Sequence, residues 1–391
     1  MKTSTQFSLK SLAFVKKQQY LLWIALFFVG IVIRIKFLPL EKGDYICFLE
    51  PWMNFAKSHG YFSSLKYNFY NYTPSYIYFL IFATKIGLNP VFSVKVFSFI
   101  FEFIAAFYIG KIATIKSKSN MTMLIALAVV PILPSVVLNA SYLSQCDSIY
   151  TAFVLGSCYY ILINKQFLSV VFLGLAFMLK MQAVMILPFF FVMLLREKIK
   201  WYYFLIIPMV YILSILPAWL YGRSFSELLG IYISQASNSK DLTLHFPNLY
   251  IWINNDYYEV AKNIGILITV LLTLLAGFWL SQKRFVFNLE LWVKLAFLSA
   301  IIVPFILPGM HERYMYVGDV MGVLYYLVLR KNIHLPIGIA LVSFYSYVRC
   351  SRYNEILPME PAFFIYLAVI IFTSIDFISS LKNSTNEIIT K

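Results

Sequence analysis

The chain is poor in charge, and acid is the scarcer sign. Of its 391 residues 13% are charged, with 17 Asp and Glu against 32 Lys and Arg. A soluble domain carries about 25% charged residues, and a water-exposed globule of this composition would present large apolar patches. Cysteine is also scarce: Cys47, Cys146, Cys158 and Cys350 are the only four, none in a CxxC pair. That removes zinc-ribbon and thioredoxin-type readings. A Cys47–Cys146 disulfide would require an oxidising compartment, and two free thiols are the simpler expectation. No GxGxxG, Walker-type loop, DxD pair, HExxH or EF-hand string occurs, so nucleotide-driven chemistry and zinc proteolysis have no support. No internal repeat is visible either, and inverted repeats are a frequent mark of transporters.

What the chain has is apolar length. Hydrophobic residues make up 61% and aromatics 19%, and a bilayer demands runs of about 17–25 apolar residues. Such runs fall near 20–38, 91–113, 121–139, 148–163, 167–180, 182–195, 201–220, 262–281, 289–309, 315–329, 333–348 and 361–379. They predict an all-α fold, a polytopic transmembrane helical bundle of about 12 spans, as one integral-membrane domain over 1–391. The first run follows Lys2, Lys10, Lys16 and Lys17, with no small-x-small pattern before Gly43. It reads as an uncleaved first span.

The net charge of +15 would point to nucleic acid in a soluble protein. Here Lys and Arg sit in short clusters between apolar runs, with no basic stripe interleaved with aromatics, so nucleic acid is set aside. The decision rests on 74–87. If this short run is an interfacial helix and the N-terminus is cytoplasmic, then Lys111, Lys116, Lys118, Lys165, Arg196, Lys198, Lys200, Lys283, Arg284, Arg330, Lys331 and Lys382 all lie inside. That obeys the positive-inside rule. The long loops 39–90 and 221–261 are then outside, the first carrying interfacial helices. Asp44, Glu50, Asp147, Asp241, Asp256, Glu259, Glu312, Glu355 and Glu360 are also outside. An outer active site accounts for this, as does the greater length of the outer loops.

Six stretches carry candidate chemistry. Asp44, in Gly43-Asp44-Tyr45, emerges where the first span ends. A carboxylate there suits a general base for a hydroxyl acceptor. It equally suits a helix N-cap, because an apolar helical pattern follows through Glu50-Pro51-Trp52. The stretch Tyr67–Pro74, with Tyr72, mixes aromatic and amide groups that suit a sugar or an interfacial belt. Ser144-Gln145-Cys146-Asp147 supplies a second outer carboxylate. Lys180-Met181-Gln182 places a lysine at an outer turn against the charge rule, so it either snorkels or binds an anion. His311-Glu312-Arg313-Tyr314 follows a helix end marked by Pro304, Pro308 and Gly309, and His with Arg suits a phosphate. Gln235, Asn238, Lys240, His245, Asn248, Tyr250, Trp252 and Asn254 belong to 235–259, either a lid over a lipid-linked substrate or an inert polar loop.

In order, GDYICFLEPW, NYTPSYIYFL, SQCDSIYTAF, FMLKMQAVMILP and ILPGMHERYM resemble the GT-C superfamily of integral-membrane glycosyltransferases, in particular bacterial mannosyltransferase-like members. The likeness runs from about residue 20 to 350. It implies transfer of a sugar from a polyprenyl-phosphate donor to a glycan or glycolipid acceptor. It places the enzyme among the lipids of a bacterial cytoplasmic membrane, with the site facing outward. By the same likeness Asp44 and Asp147 are catalytic, Asp44 as base. Lys180, His311 and Arg313 bind the donor phosphate, and Glu50, Tyr72, Gln145, Gln182 and Glu312 bind substrate. Ser144 stands where relatives have glycine, and Thr73-Pro74 where many have two prolines. No metal or other cofactor is expected; because no diphosphate leaves, a divalent ion is less necessary. The rivals are a polysaccharide polymerase and a transporter or flippase, the latter drawing on Arg34, Lys95, Glu102, Lys294, Asp319 and Asp376 within or near spans.

Overall fold

The computed structural model describes residues 2–237, 240–352 and 357–389; Asn238 and Glu355 lie outside the described residues. The chain is built almost wholly from helices, with one two-residue parallel strand pair, Thr243–Leu244 against Met310–His311. Among the described residues six helices are long and apolar enough to cross a membrane: Lys17–Phe37, Pro90–Ser117, Trp201–Leu220, Asn255–Gln282, Leu289–Ile306 and Glu360–Thr385. A seventh candidate is the pair Asn120–Ile132 and Pro134–Tyr142, bent by 53°. Pro134 explains the bend, since proline disfavours a helical residue before it and Leu133 is extended, with ψ of 135°.

The remaining apolar runs form helices that are shorter or less apolar. Run 148–163 is Asp147–Leu162, and runs 167–180 and 182–195 are Gln166–Leu179 and Met181–Leu195, separated at Lys180. Run 315–329 is Tyr316–Leu329, and run 333–348 lies within His334–Arg352. The run at 74–87 forms the 12-residue helix Pro74–Lys85. At 1.5 Å per residue that is about 18 Å, well short of the roughly 30 Å hydrocarbon core. The first loop also holds a π-helical turn Tyr45–Leu49, a helix Glu50–Ser58 and a 3₁₀ turn Tyr61–Lys66.

Two groups of helices pack together. In the first, Lys2–Phe37 lies on Asn120–Ile132, which lies on Pro90–Ser117; Asp147–Leu162, Gln166–Leu179 and Ile206–Leu220 follow in a row. The second comprises Leu289–Ile306, Tyr316–Leu329, His334–Arg352 and Glu360–Ile389, joined to the first where Tyr316–Leu329 meets Pro90–Ser117. Lipid tails provide no hydrophobic drive for helices to associate, so close approach and polar pairing must hold them. Ala105, Ala106 and Ala113 are fully packed in Pro90–Ser117. Ser157 and Ser169 each donate to the other's carbonyl, at 2.6 and 2.9 Å, across Asp147–Leu162 and Gln166–Leu179. Outward faces remain apolar: Val32 and Ile35 are 62% and 63% exposed, as side chains facing hydrocarbon should be.

One buried ion pair fastens the first helix. Arg34 donates through Nε and Nη2 to Glu102 Oε2 at 2.9 and 2.7 Å. Neither charge is tolerable alone in a low-dielectric interior. Glu102→Ala should therefore lower stability by about 3–5 kcal/mol, while Arg34→Met combined with Glu102→Leu should recover most of the loss. Thermal unfolding in detergent micelles measures both. A double variant as unstable as Glu102→Ala would show that stranded charge is not the cause.

Candidate functional site

Five segments distant in sequence meet where helices end. The first begins at Gly43, with φ of +60°; a Cβ there would lie 2.9 Å from the Leu143 backbone. The missing carbon lets the chain run against 142–145, and the Asp44 amide donates to the Leu143 carbonyl at 3.1 Å. Asp44 is half-buried. Its side chain makes no cap bond to the Tyr45–Leu49 turn; its Oδ2 instead accepts from Gln145 Nε2. The capping explanation for Asp44 is thus set aside by the geometry. Glu50 opens the Glu50–Ser58 helix, and burial with the charge of Glu50 pushes the Tyr45 phenol up to about 12.

The second segment is the bent pair and the loop after it. Val137–Tyr142 is a widened π-helical turn carrying the fully buried Asn139. Ser144 adopts φ of 58°, the left-handed region that favours glycine. The Gln145 amide then closes back on the Asn139 carbonyl at 2.9 Å. This reversal sets Asp147 in the first turn of Asp147–Leu162, where a helix dipole favours an anion. Asp147 is 1% exposed. Its Oδ1 accepts from Lys180 Nζ at 2.6 Å and its Oδ2 from Asn139 Nδ2 at 2.7 Å.

Lys180 is the third piece. Its extended backbone, φ −147° and ψ 138°, breaks the helix. The side chain is buried rather than snorkelling outward. Besides Asp147 it reaches Gln145 Oε1 at 3.4 Å and sits 5.2 Å over the Tyr72 ring, a cation–π contact. Tyr72 is the fourth: its hydroxyl donates to Gln145 Oε1 at 3.4 Å and its ring meets Trp52 edge-on at 5.4 Å. The adjoining Thr73 hydroxyl donates to the Leu179 carbonyl at 3.1 Å, pinning the first loop beside Lys180.

The fifth segment is 310–314, held by the Thr243–Leu244 strand. Arg313 Nη1 donates to Glu312 Oε1 at 3.0 Å, and Arg313 Nε stands 4.0 Å from Asp147 Oδ2. His311 Nδ1 is 3.8 Å from Glu312 Oε2. Burial alone would raise the Glu312 carboxyl, but Arg313 and His311 outweigh it and hold it at about 2. The half-buried Tyr314 phenol is pushed up by burial, a rise that Arg313, Lys180 and Gln182 oppose. His245, half-buried and lowered by that burial, faces Glu312 and His311, so part of the 235–259 loop does close on this segment.

The geometry therefore gathers Asp44, Tyr72, Gln145, Asp147, Lys180, Arg313 and Glu312, with His311 and Gln182 at their edge. Glu50 is not gathered: among the described residues no hydrogen bond or ion pair joins it to the cluster. Asn139 and Tyr347 escaped the sequence reading. The Tyr347 hydroxyl lies 3.0 Å from Asn139 Nδ2; an amide closing the apolar run 121–139 was the available signal. All four cysteines are free thiols. No group of three His, Cys, Asp or Glu able to hold a metal ion occurs among the described residues. Arg313 Nε is buried without a hydrogen-bond partner, a donor held ready beside two carboxylates. Chemically, the cluster offers a partly accessible base at Asp44 and a pair of cations suited to an oxyanion.

Comparison with family models, curated proteins and solved structures found no match to this chain.

Gly43 and Gly87 separate close approach from backbone strain. Gly87 is also left-handed, φ +75°, but a Cβ there would meet nothing within 4 Å. Gly87→Ala should cost about 1 kcal/mol of strain, and Gly43→Ala up to about 3 kcal/mol, because the Leu143 backbone must also move. Equal shifts in thermal unfolding would mean that the approach to Leu143 is not needed.

Proposed function

We propose that the protein is a membrane glycosyltransferase. It transfers a sugar from a polyprenyl-phosphate carrier to the hydroxyl of a lipid-linked or glycan acceptor, on the extracytoplasmic face. The observation that carries this reading is the meeting of Asp44, Asp147, Lys180 and Arg313 through Gln145 and Tyr72 at the ends of apolar helices. The resemblance of the five motifs to GT-C glycosyltransferases supports it. In this reading the shorter apolar helices also span, completing a bundle of about 12 with both termini cytoplasmic.

The roles follow from accessibility. Asp44 is the carboxylate that solvent reaches, so it takes the proton as the acceptor oxygen bonds to the anomeric carbon. The bond from that carbon to phosphate breaks from the opposite face, with inversion. The departing phosphate passes from diester to monoester and gains negative charge. Lys180 and Arg313, with His311, stabilise that charge. Asp147 has both oxygens committed, to Lys180 and Asn139, so it orients the cations rather than moving a proton. A transporter would use the ionisable residues of the spans. Here each has a partner within the protein: Arg34 pairs with Glu102, Lys95 with the Phe37, Leu40 and Ser141 carbonyls, Lys294 with Asp376, and Asp319 with Ser343, although Glu102 Oε1 and Asp319 Oδ1 stay unpaired.

Purified protein incubated with radiolabelled polyprenyl-phosphate sugars should label a lipid or glycan acceptor. Asp44→Asn should leave folding intact and lower the rate by about 10²–10⁴. Lys180→Ala or Arg313→Ala should cost about ten- to a hundredfold in donor use. Asp147→Asn should lose less rate but more thermal stability. Near-normal turnover by Asp44→Asn would remove it as the base, and absence of any transfer would reject the reading. Orientation has its own check. In a cysteine-free background, a cysteine at Asp256 should react with an impermeant maleimide on intact cells, and one at Lys118 only after permeabilisation. The reverse pattern would invert the topology.

A further inference from the structure

A cavity of about 400 Å³ lies beside the charged cluster, lined by Asn68, Tyr70, Asn71, Arg223, Glu227 and Gln235 among others. Its size falls in the range of small-molecule sites. One wall comes from the first long loop and the other from the second. Gln235 Nε2 donates to the Asn71 carbonyl and closes the two together. Asn71 is followed directly by Tyr72, which belongs to the cluster.

Arg223 is the unusual member. It is 4% exposed, yet its guanidinium is underused. Nη2 donates to Asn68 Oδ1 at 2.6 Å, and the plane lies 4.4 Å over the Tyr70 ring. Nε and Nη1 are buried with no hydrogen-bond partner, as is the Tyr70 hydroxyl. The Glu227 carboxylate stops 3.7 Å from Nε and is 53% exposed. Leaving buried donors unmet is costly, so this cavity is built for something that supplies acceptors. The lining balances one cation against one carboxylate; its other polar groups are amide, hydroxyl and phenol, with Gly230 and Ile231 between them. A free anion would meet Glu227 as well as Arg223. A neutral sugar suits both kinds of lining, because each hydroxyl both donates and accepts and its C–H face can rest on Ile231.

We infer that this cavity is a saccharide subsite: Arg223, Asn68, Asn71 and Glu227 hold the hydroxyls of an uncharged sugar unit, presenting an acceptor glycan to the neighbouring cluster. The acceptor role rests on the glycosyltransferase reading; the binding of sugar does not.

Saturation-transfer NMR on the detergent-solubilised full chain tests it, with the methyl glycosides of glucose, mannose, galactose and N-acetylglucosamine as probes and inorganic phosphate as competitor. At least one glycoside should receive saturation, and its affinity should fall about ten- to a hundredfold in Arg223→Gln. Ser226 lines the same cavity from an exposed position, so Ser226→Trp should fill the space and abolish the signal even if Arg223→Gln folds poorly. No binding of any glycoside overturns the inference. So does displacement by phosphate, which would make the cavity an anion site, and so does loss of binding in Asp44→Asn with retention in Ser226→Trp, which would move the sugar into the cluster. If glycoside binding depends on Arg223 while no transfer is detected in any assay, the glycosyltransferase reading fails and the saccharide site stands.

Discussion

The ion pair between Asp147 and Lys180 organises the rest of the site. A lysine at the junction of two apolar helices, or an aspartate nearly sealed from solvent, is intolerable alone in a low-dielectric interior. At 2.6 Å apart each neutralises the other. The second oxygen of Asp147 is taken by Asn139, which brings in the bent helix pair, and Arg313 at 4.0 Å brings in the loop after Leu289–Ile306. Lys180 in turn lies over Tyr72 and touches Gln145, and Gln145 reaches Asp44. Charge neutralisation thus decides which ends of which helices must sit together.

The loops around the pair meet a second demand. Irregular backbone near a membrane is tolerable only where its polar groups are satisfied within the protein or by water. Thr73 spends its hydroxyl on the Leu179 carbonyl, Gln235 its amide on the Asn71 carbonyl, and residues 243–244 pair with 310–311. These ties also give the cluster the second layer of support that a site held in one geometry requires. Arg223, like Arg313, keeps buried donors without a partner, and its two unmet nitrogens line a cavity that reads as a place for a ligand.

The helical character and the shortness of the Pro74–Lys85 helix were legible because bilayer thickness writes itself into run length. The number of spans was less legible. An apolar count does not register a break such as the extended Lys180 or the bend before Pro134, since the residues on either side are equally greasy. Four of the site's charged residues, Asp44, Asp147, Lys180 and Arg313, were readable as polar interruptions of apolar runs, and a shared loop face was enough to group them. Asn139 and Tyr347 were not, because a single amide or phenol in a run looks like any tolerated polar residue. Glu50 looked eligible by proximity in sequence, but it is Trp52 of the same helix that meets Tyr72, while among the described residues the Glu50 carboxylate makes no hydrogen bond or ion pair to the cluster.

By itself, then, the sequence determined the class of solvent, the helical secondary structure and a short roster of polar residues at helix ends. These depend on composition over a window, which needs no knowledge of neighbours. Only the tertiary structure decided the partners: that Asp44 faces Gln145 rather than capping its helix, that Lys180 is buried on Asp147 rather than snorkelling, and that Arg223 is left with unmet donors. Those outcomes depend on which segments, 100 residues or more apart in the case of Asp44 and Gln145 and of Asn68 and Arg223, are brought within hydrogen-bond reach. Such reach is a property of packing, not of local pattern.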